Sequence, residues 1–401
     1  MLITGNQQLI KNVNRMAILR EVRKRPGVSR TDLAEATGLT RAAIGRLVEG
    51  LTEEGWLAEE PRLASTTLGR RPTPLVFDAF RLVLLGAHIN GERSRVVAST
   101  LAGEVFELSV LSTEGLAGEA VLDTLARQIS DMQARFQIAG RRICGIGVAV
   151  PGPVDPLTGD LRFSESTGWS RLPVRAGLLD RLAAQGMQDV PVIVDRAANC
   201  IALQHAEVNR LELSEALLYV HVGQNVAVSA MLHDRLMRGR HGLAGYVAHQ
   251  TLQLEGPACS CGRAGCVQAM LTLEAMGRQL ELPRNLSPAA LQSELRSAVQ
   301  AAEPRALAAL QSLSRHLGAF IYNLCQTYDP GRVFVGGAAF QLGGDLMAGL
   351  RARLDELYAD SGLIPPQVQV MRVDVQTAAQ GAAAAVLRAL LSLEAALPEH
   401  V

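Results

Sequence analysis

The sequence predicts a two-part fold: a small, mainly helical N-terminal domain of the winged helix-turn-helix type, followed by a larger α/β domain. Three observations carry this expectation. Over the first sixty residues, apolar positions recur at helical spacing and are punctuated by Pro26-Gly27, Gly38 and Gly55. From about Phe80 the pattern changes to short apolar runs of strand length alternating with long helical windows, which argues for α/β architecture. Within that second part, residues 249–268 hold three of the six cysteines inside eight positions, with His249 ten positions ahead of the first.

The N-terminal elements follow from caps and breakers. Residues 14–25 carry Met16, Ile18, Leu19 and Val22 on one helical face, and Pro26-Gly27 ends the run. Ser29 reads as the N-cap of a helix over 30–37, with Asp32 favourable in its first turn. Gly38 breaks that helix. Thr40 caps a third over 41–53, with Ile44, Leu47, Val48 and Leu51 facing inward. Gly55-Trp56-Leu57 closes it, and 57–77 has the length of a two-stranded wing. These elements place a DNA-binding-type domain at 1–60 and a wing and linker at 61–78.

In the larger part, 82–86, 143–150, 190–194, 216–222 and 332–335 read as buried strands. Helices are expected over 118–137, 288–327, 343–358 and, rich in Ala and Leu, 378–397. Two α/β lobes of similar size fit this pattern. They are expected at 79–196, joined by helix 378–397, and at 197–377, the latter containing the cysteine segment.

With 401 residues, 48% hydrophobic and 19% charged, the composition is that of a globular protein with real cores. Lys+Arg and Asp+Glu are both 39, so net charge alone points to no nucleic acid. Only Lys11 and Lys24 are lysines, so almost all positive charge is arginine. Before residue 79, twelve basic residues face nine acidic ones, and the basic ones gather at helix ends and in the wing. The N-terminus lacks a signal-peptide pattern, and no apolar stretch is long enough to span a bilayer. Cys144, Cys200 and Cys325 sit singly on apolar segments, which suits a reducing compartment. A cytoplasmic protein with no membrane partner is expected.

A reading helix offers its N-terminal side chains to base edges, so Thr40, Arg41, Ala43 and Arg46 are candidate contacts to double-stranded DNA, with Ser29 beside them. Gly69-Arg70-Arg71-Pro72 forms a basic tip suited to phosphates or a minor groove. The alternative is a solvated arginine face on a helical protein-interaction domain.

His249, Cys259, Cys261 and Cys266 supply an imidazole and three thiolates, the ligands that zinc prefers. Four such ligands close a tetrahedron and argue for a structural metal. A disulfide between Cys259 and Cys261 would be strained, and a chance cluster is the remaining reading.

Taken together, Gly145-Ile-Gly-Val-Ala-Val-Pro-Gly152, Gly168-Trp169, the His249/Cys259/Cys261/Cys266 module and Gly336-Gly337 resemble the ROK family, which contains sugar kinases and winged-helix repressors. The resemblance implies a two-lobed actin/hexokinase-like α/β domain, and the N-terminal helices with Gly69-Arg70-Arg71-Pro72 resemble the repressor branch. It also exposes departures from the kinase pattern. Where the family carries Asp-x-Gly-Gly-Thr, this chain has His88-Ile89-Asn90-Gly91-Glu92, which sets a carboxylate against nucleotide phosphates. Where the family carries Asn-Asp, Arg196 and Ala197 stand, and Ala197 cannot take a proton; Asp195 is a displaced alternative. Tyr246 replaces a sugar-binding Glu, Gln268 another, and Ser166 an Asn.

The resemblance thus implies a regulator that is not an enzyme, with no catalytic residue. Its pocket of Ser166, Arg196, Tyr246, His249 and Gln268 is re-tuned toward a sugar-like or anionic small-molecule effector, Arg196 supplying a fixed positive fork. His249 would serve both metal and ligand. A pocket that binds nothing, in a regulator controlled by a protein partner, is the alternative. An active sugar kinase fused to a DNA-binding domain and a zinc-responsive regulator are the others. A homodimer or higher oligomer on a palindromic operator of carbohydrate-related genes is expected, with ligand closure shifting the linker near Pro61 and Pro74.

Overall fold

The computed structural model describes residues 7–60, 73–209, 211 and 216–392. Arg70 and Arg71 lie outside the described residues. The chain forms two compact units, 1–210 together with 376–401, and 211–375. Among the described residues no helix is long and apolar enough to cross a membrane.

The first unit opens with α1 (Gln7–Lys24), α2 (Arg30–Thr37) and α3 (Arg41–Glu53). α1 begins at Gln7, earlier than the start read at residue 14; in its added turns Gln7, Gln8, Ile10 and Lys11 are exposed, and Leu9 and Val13 only half-buried. Ser29 and Asp32 cap α2 reciprocally: the Ser29 hydroxyl accepts the Asp32 N–H at 3.2 Å, and the Asp32 carboxylate accepts the Ser29 N–H at 3.0 Å. Gly38 then turns the chain at φ 71°, a left-handed conformation that glycine adopts without steric cost. The Thr40 hydroxyl accepts the Ala43 N–H at 3.2 Å and starts α3.

Strand β1 (Leu57–Glu59) pairs antiparallel with β2 (Leu75–Phe77), and Val28 bridges to Leu75, tying this ribbon to the turn before α2. Ile18, Leu19, Val22, Leu33, Ile44, Val48, Leu51, Leu57 and Leu75 are all buried in one cluster.

Next, β3 (Leu82–His88), β4 (Arg93–Ser99) and β5 (Val105–Ser112) form an antiparallel meander. Helix α4 (Gly118–Ile138) leads to β6 (Arg142–Val150), parallel to β3. A small hairpin of β7 (Leu161–Phe163) and β8 (Ser170–Leu172) precedes α5 (Val174–Ala184). β9 (Val192–Arg196) then adds parallel to β6, and α6 (Ala197–Val208) follows directly. The sheet order is β5-β4-β3-β6-β9. Side chains alternate across it: Val83, Leu85, Ala87, Ile146 and Val148 join α4 and α5, while Leu82 and Leu84 join the cluster under the N-terminal helices.

The second unit repeats this order. β10 (Leu217–Val222), β11 (Val226–Leu232) and β12 (Arg235–Leu236) form its meander. Helices α7 (Val267–Leu271), α8 (Leu273–Gln279), α9 (Pro288–Gln300) and α10 (Pro304–Tyr328) come next, followed by β13 (Arg332–Gly336), α11 (Leu346–Tyr358) and β14 (Gln367–Val370). The order β12-β11-β10-β13-β14, with β13 parallel to both neighbours, matches the first sheet strand for strand. The single helix expected over 288–327 is two. Ala302 takes φ 54°, and Pro304, which has no N–H to continue a helix, starts α10 at its first turn.

The chain returns to the first unit as α12 (Thr377–Leu390). It lies almost on the backbone of the sheet: a Cβ at Gly86 would come within 1.9 Å of the Ala379 carbonyl oxygen, and one at Gly147 within 2.0 Å of that of Ala382. On its other side, a Cβ at Gly381 would come within 1.8 Å of the Cys200 carbonyl oxygen of α6. That backbone contact holds α6 in the first unit, so the units divide after 210 and not at the 196/197 boundary read from the sequence. Residues of the expected helix beyond 392 lie outside the description.

Candidate functional site

Arg41 and Arg46 are both exposed on α3, and neither makes a hydrogen bond or ion pair among the described residues. Thr40 is exposed at the cap and Ala43 is half-buried one turn in. By contrast, Arg15 pairs with Glu54 and Arg30 with Glu59 at 2.7 Å, so those guanidinium groups are held within the fold. Ser29 is a correction. It is 3% exposed, and its hydroxyl is engaged with Asp32, so it shapes α2 and presents no surface to DNA.

The cysteine segment folds around its sulfurs. Thr251 bridges to Cys266 and Ala258 to Ala264, while the Cys259 N–H donates to the Arg263 carbonyl at 2.8 Å. Gly265, at φ 67°, lies where a Cβ would meet the Gln253 carbonyl oxygen at 1.6 Å, so only glycine fits. The ligand atoms of His249, Cys259, Cys261 and Cys266 all lie within 4.8 Å of one another. The Cys259 sulfur is 3.5 Å from His249 Nδ1, and the sulfurs of Cys261 and Cys266 are 3.7 Å apart. Metal–sulfur bonds of about 2.3 Å in a tetrahedron set sulfurs about 3.8 Å apart, so the donor set and its spacing fit a metal ion. The Arg263 backbone N–H and guanidinium draw the Cys261 thiol down to about 6, toward the thiolate that ligates metal.

Where the sequence suggests an effector pocket, the structure divides the residues by role. In the first unit, Arg196 ends β9 and is 5% exposed. Its guanidinium donates to Asn199 Oδ1 at 3.0 Å, and Asn199 Nδ2 donates to Asp195 Oδ1 at 2.7 Å. The Asp195 oxygen also accepts the Arg196 N–H at 2.8 Å. The displaced-base candidate is therefore a 4% exposed carboxylate engaged in shaping the start of α6. Ser166 is exposed near the β7–β8 hairpin, its hydroxyl 3.3 Å from that of Ser164.

In the second unit, Tyr246 and His249 meet edge to face, ring centroids 6.1 Å apart. Gln268 is half-buried and already engaged within the fold. Its Oε1 accepts the Val226 N–H at 3.2 Å and its Nε2 donates to the Gln224 carbonyl at 3.1 Å, so its amide pins the β10–β11 hairpin.

Two kinase-like features have other work. The Asn90 side-chain oxygen accepts the N–H groups of Glu92 at 3.0 Å and Arg93 at 2.8 Å, which makes the 88–92 stretch a closed hairpin turn. Gly337, at φ 106°, lies where a Cβ would meet the Val222 carbonyl oxygen at 2.5 Å and His221 Cε1 at 2.9 Å. The Gly336-Gly337 pair thus has a packing cause in β10.

Sequence reasoning missed His221 and Glu207. His221 Nδ1 lies 2.9 Å from the Tyr219 hydroxyl, and burial pushes its imidazole down to about 4. Glu207, at the end of α6, is bonded by both Arg23 and Arg388. Neither lies in a local motif that could have announced it.

A three-helix segment with a β-ribbon, set ahead of two like five-stranded α/β units, defines a sugar-kinase-like protein with an added helical domain. The chain belongs to the ROK family, whose model matches residues 93–389, and residues 4–79 match the HVO_A0261 N-terminal domain. It is 24% identical over 403 residues to the xylose repressor of Caldicellulosiruptor bescii, covering 97% of this chain and 98% of that protein. It is 25% identical over 289 residues to the glucokinase of Halalkalibacterium halodurans, covering 69% of this chain and 86% of that protein. The crystal structure of a ROK family transcriptional regulator, a homologue of the E. coli MLC protein, shares its fold with a TM-score of 0.77 at 19% identity, over 96% of this chain and 97% of that one.

Proposed function

We propose that this chain is a DNA-binding transcriptional repressor of sugar-related genes. In this reading α1–α3 with the β1–β2 ribbon form a winged helix-turn-helix, and a homodimer sets two copies of α3 in successive major grooves of a palindromic operator. The observation that carries it is α3 itself, capped by Thr40, with Arg41 and Arg46 exposed and unpaired among the described residues, in a chain whose relatives include named repressors. Arg can bond guanine in bidentate fashion, so these two side chains would read bases. Arg70 and Arg71 would contact phosphates.

The ROK part is read as a sensor without kinase chemistry. Ala197 offers no base, and Asp195 accepts the Asn199 amide and the Arg196 N–H. A sugar or anionic sugar derivative is the effector, with Ser166, Arg196, Tyr246 and His249 as its candidate contacts. Zinc held by His249, Cys259, Cys261 and Cys266 would supply a fixed cross-link that orients the His249 ring and no reaction step.

The test is selection of duplexes from a random library by the full chain, then operator affinity with and without xylose, N-acetylglucosamine, glucose and their phosphates. An enriched palindrome whose affinity one sugar changes at least tenfold is expected; no enriched sequence overturns the repressor reading. The glucokinase relative favours a second reading, an active kinase. Sugar-dependent ADP release from ATP above the protein-free rate would establish it in place of the sensor.

A further inference from the structure

We propose that α6 is the lever that sets the position of the DNA-binding helices, and that Glu207 is its positioning residue. This rests on the reading of Arg196 as part of the effector site. α6 begins at Arg196 and Ala197, where the Asp195, Arg196 and Asn199 bonds converge. Glu207 stands in its last turn, about 16 Å along the helix axis from Arg196 at 1.5 Å per residue. There Glu207 Oε2 accepts Arg23 Nε of α1 at 3.1 Å, Arg23 makes a second bond to Oε1, and Arg388 Nε of α12 donates to Oε1 at 2.5 Å.

One carboxylate therefore joins the sensor helix, the closing helix and the first helix of the DNA-binding segment. The side chains of Arg23, Glu207 and Arg388 are only 20–23% exposed, which shields the cluster from solvent screening.

The packing makes the lever stiff. α6 buries Ala198, Asn199, Cys200, Ile201, Ala202, Leu203 and Ala206, and Gly381 puts its backbone in direct contact with α12. Ala383, Val386 and Leu387 of α12, with Leu391 just beyond it, belong to the same buried cluster as Ile18, Leu19 and Val22 of α1. Arg20 Nε donates to the Leu391 carbonyl at 2.7 Å, a second tie between α1 and the closing segment. A shift at the Arg196 end has no soft element to dissipate it before Glu207. Packed helices move as rigid bodies, in small sliding steps.

The test is a double-mutant cycle on the full chain, read by affinity for the selected operator and by amide exchange across Gln7–Lys24. Arg196→Ala perturbs one end, and Glu207→Gln removes the clamp at the other. Sites this far apart ordinarily act additively, to within about twofold. The lever predicts that Arg196→Ala changes operator affinity at least threefold and alters α1 exchange in the wild-type background, and does neither in Glu207→Gln.

Arg23→Gln guards against a folding defect, because it leaves the Glu207–Arg388 pair in place and should uncouple the two ends equally. An equal effect of Arg196→Ala in all backgrounds, or none in the wild type, overturns the proposal. Failure of the chain to select any duplex would sink the repressor reading alone, since α1 exchange reads the lever without DNA.

Discussion

Gly381 of α12 faces the Cys200 carbonyl oxygen of α6 with no room for a side chain, a Cβ there coming within 1.8 Å of it. This contact brings the last described helix down onto the helix that follows β9. A backbone oxygen cannot swing aside as the tip of a flexible side chain can. Gly381→Ala should therefore destabilise the first unit by roughly 1–3 kcal/mol or more in denaturant melts. Gly45→Ala is the contrast: helical, with nothing within 4 Å of the added carbon, it should gain roughly 0.5–1 kcal/mol. Equal melts for the two variants would contradict the close packing.

The His249/Cys259/Cys261/Cys266 cluster predicts one zinc per chain by elemental analysis of purified protein. Cobalt substitution should give the visible absorption of a tetrahedral thiolate site. Cys261→Ser and Cys266→Ser should each reduce the metal to near zero and lower the melting temperature of the second unit. Full occupancy in both variants would show that the metal sits elsewhere.

Arg41→Ala and Arg46→Ala should each weaken binding to the selected operator by about 1–3 kcal/mol while relaxing base preference at one position. A loss of equal size on all duplexes would assign that arginine to phosphate. Because both side chains are exposed and unpaired among the described residues, thermal stability should be nearly unchanged, which separates binding from folding.

Glu207 predicts a pH dependence. Burial opposes its ionisation, but the attraction of Arg23 and then Arg388 outweighs it and holds the carboxyl below its ordinary 4.5. A carboxyl lowered in the folded state stabilises above its unfolded value and loses that contribution as pH falls through the folded one. Relative to Glu207→Gln, wild type should be more stable at neutral pH, and the advantage should shrink only below about pH 4.5. A constant difference between the two proteins from pH 7 to 3 would contradict the ion pairs.

Features whose cause is local were legible in the chain. Ser29 and Thr40 start helices because a hydroxyl one residue before a helix meets its own orphan N–H groups. The buried central strands β3 and β6 stand out as unbroken apolar runs because helices cover both their faces. β5 escaped notice because its residues alternate between half-buried and exposed, and three of its exposed positions, Phe106, Leu108 and Val110, are apolar, which blurs the period-two signal. The split of 288–327 was written in Pro304, but the apolar spacing runs through it unchanged.

By itself, then, the sequence determined the helix caps and the grouping of His249, Cys259, Cys261 and Cys266, since residue identity and short spacing suffice for each. Tertiary structure alone decided which polar groups were already taken. Gln268 is held by the β10–β11 hairpin and Asp195 by Asn199. Gly147 has its cause in Ala382 of α12, and Glu207 is bonded by Arg23, 184 positions earlier in the chain. Such contacts arise where the backbone brings distant segments within a few ångströms, and no local pattern records that approach.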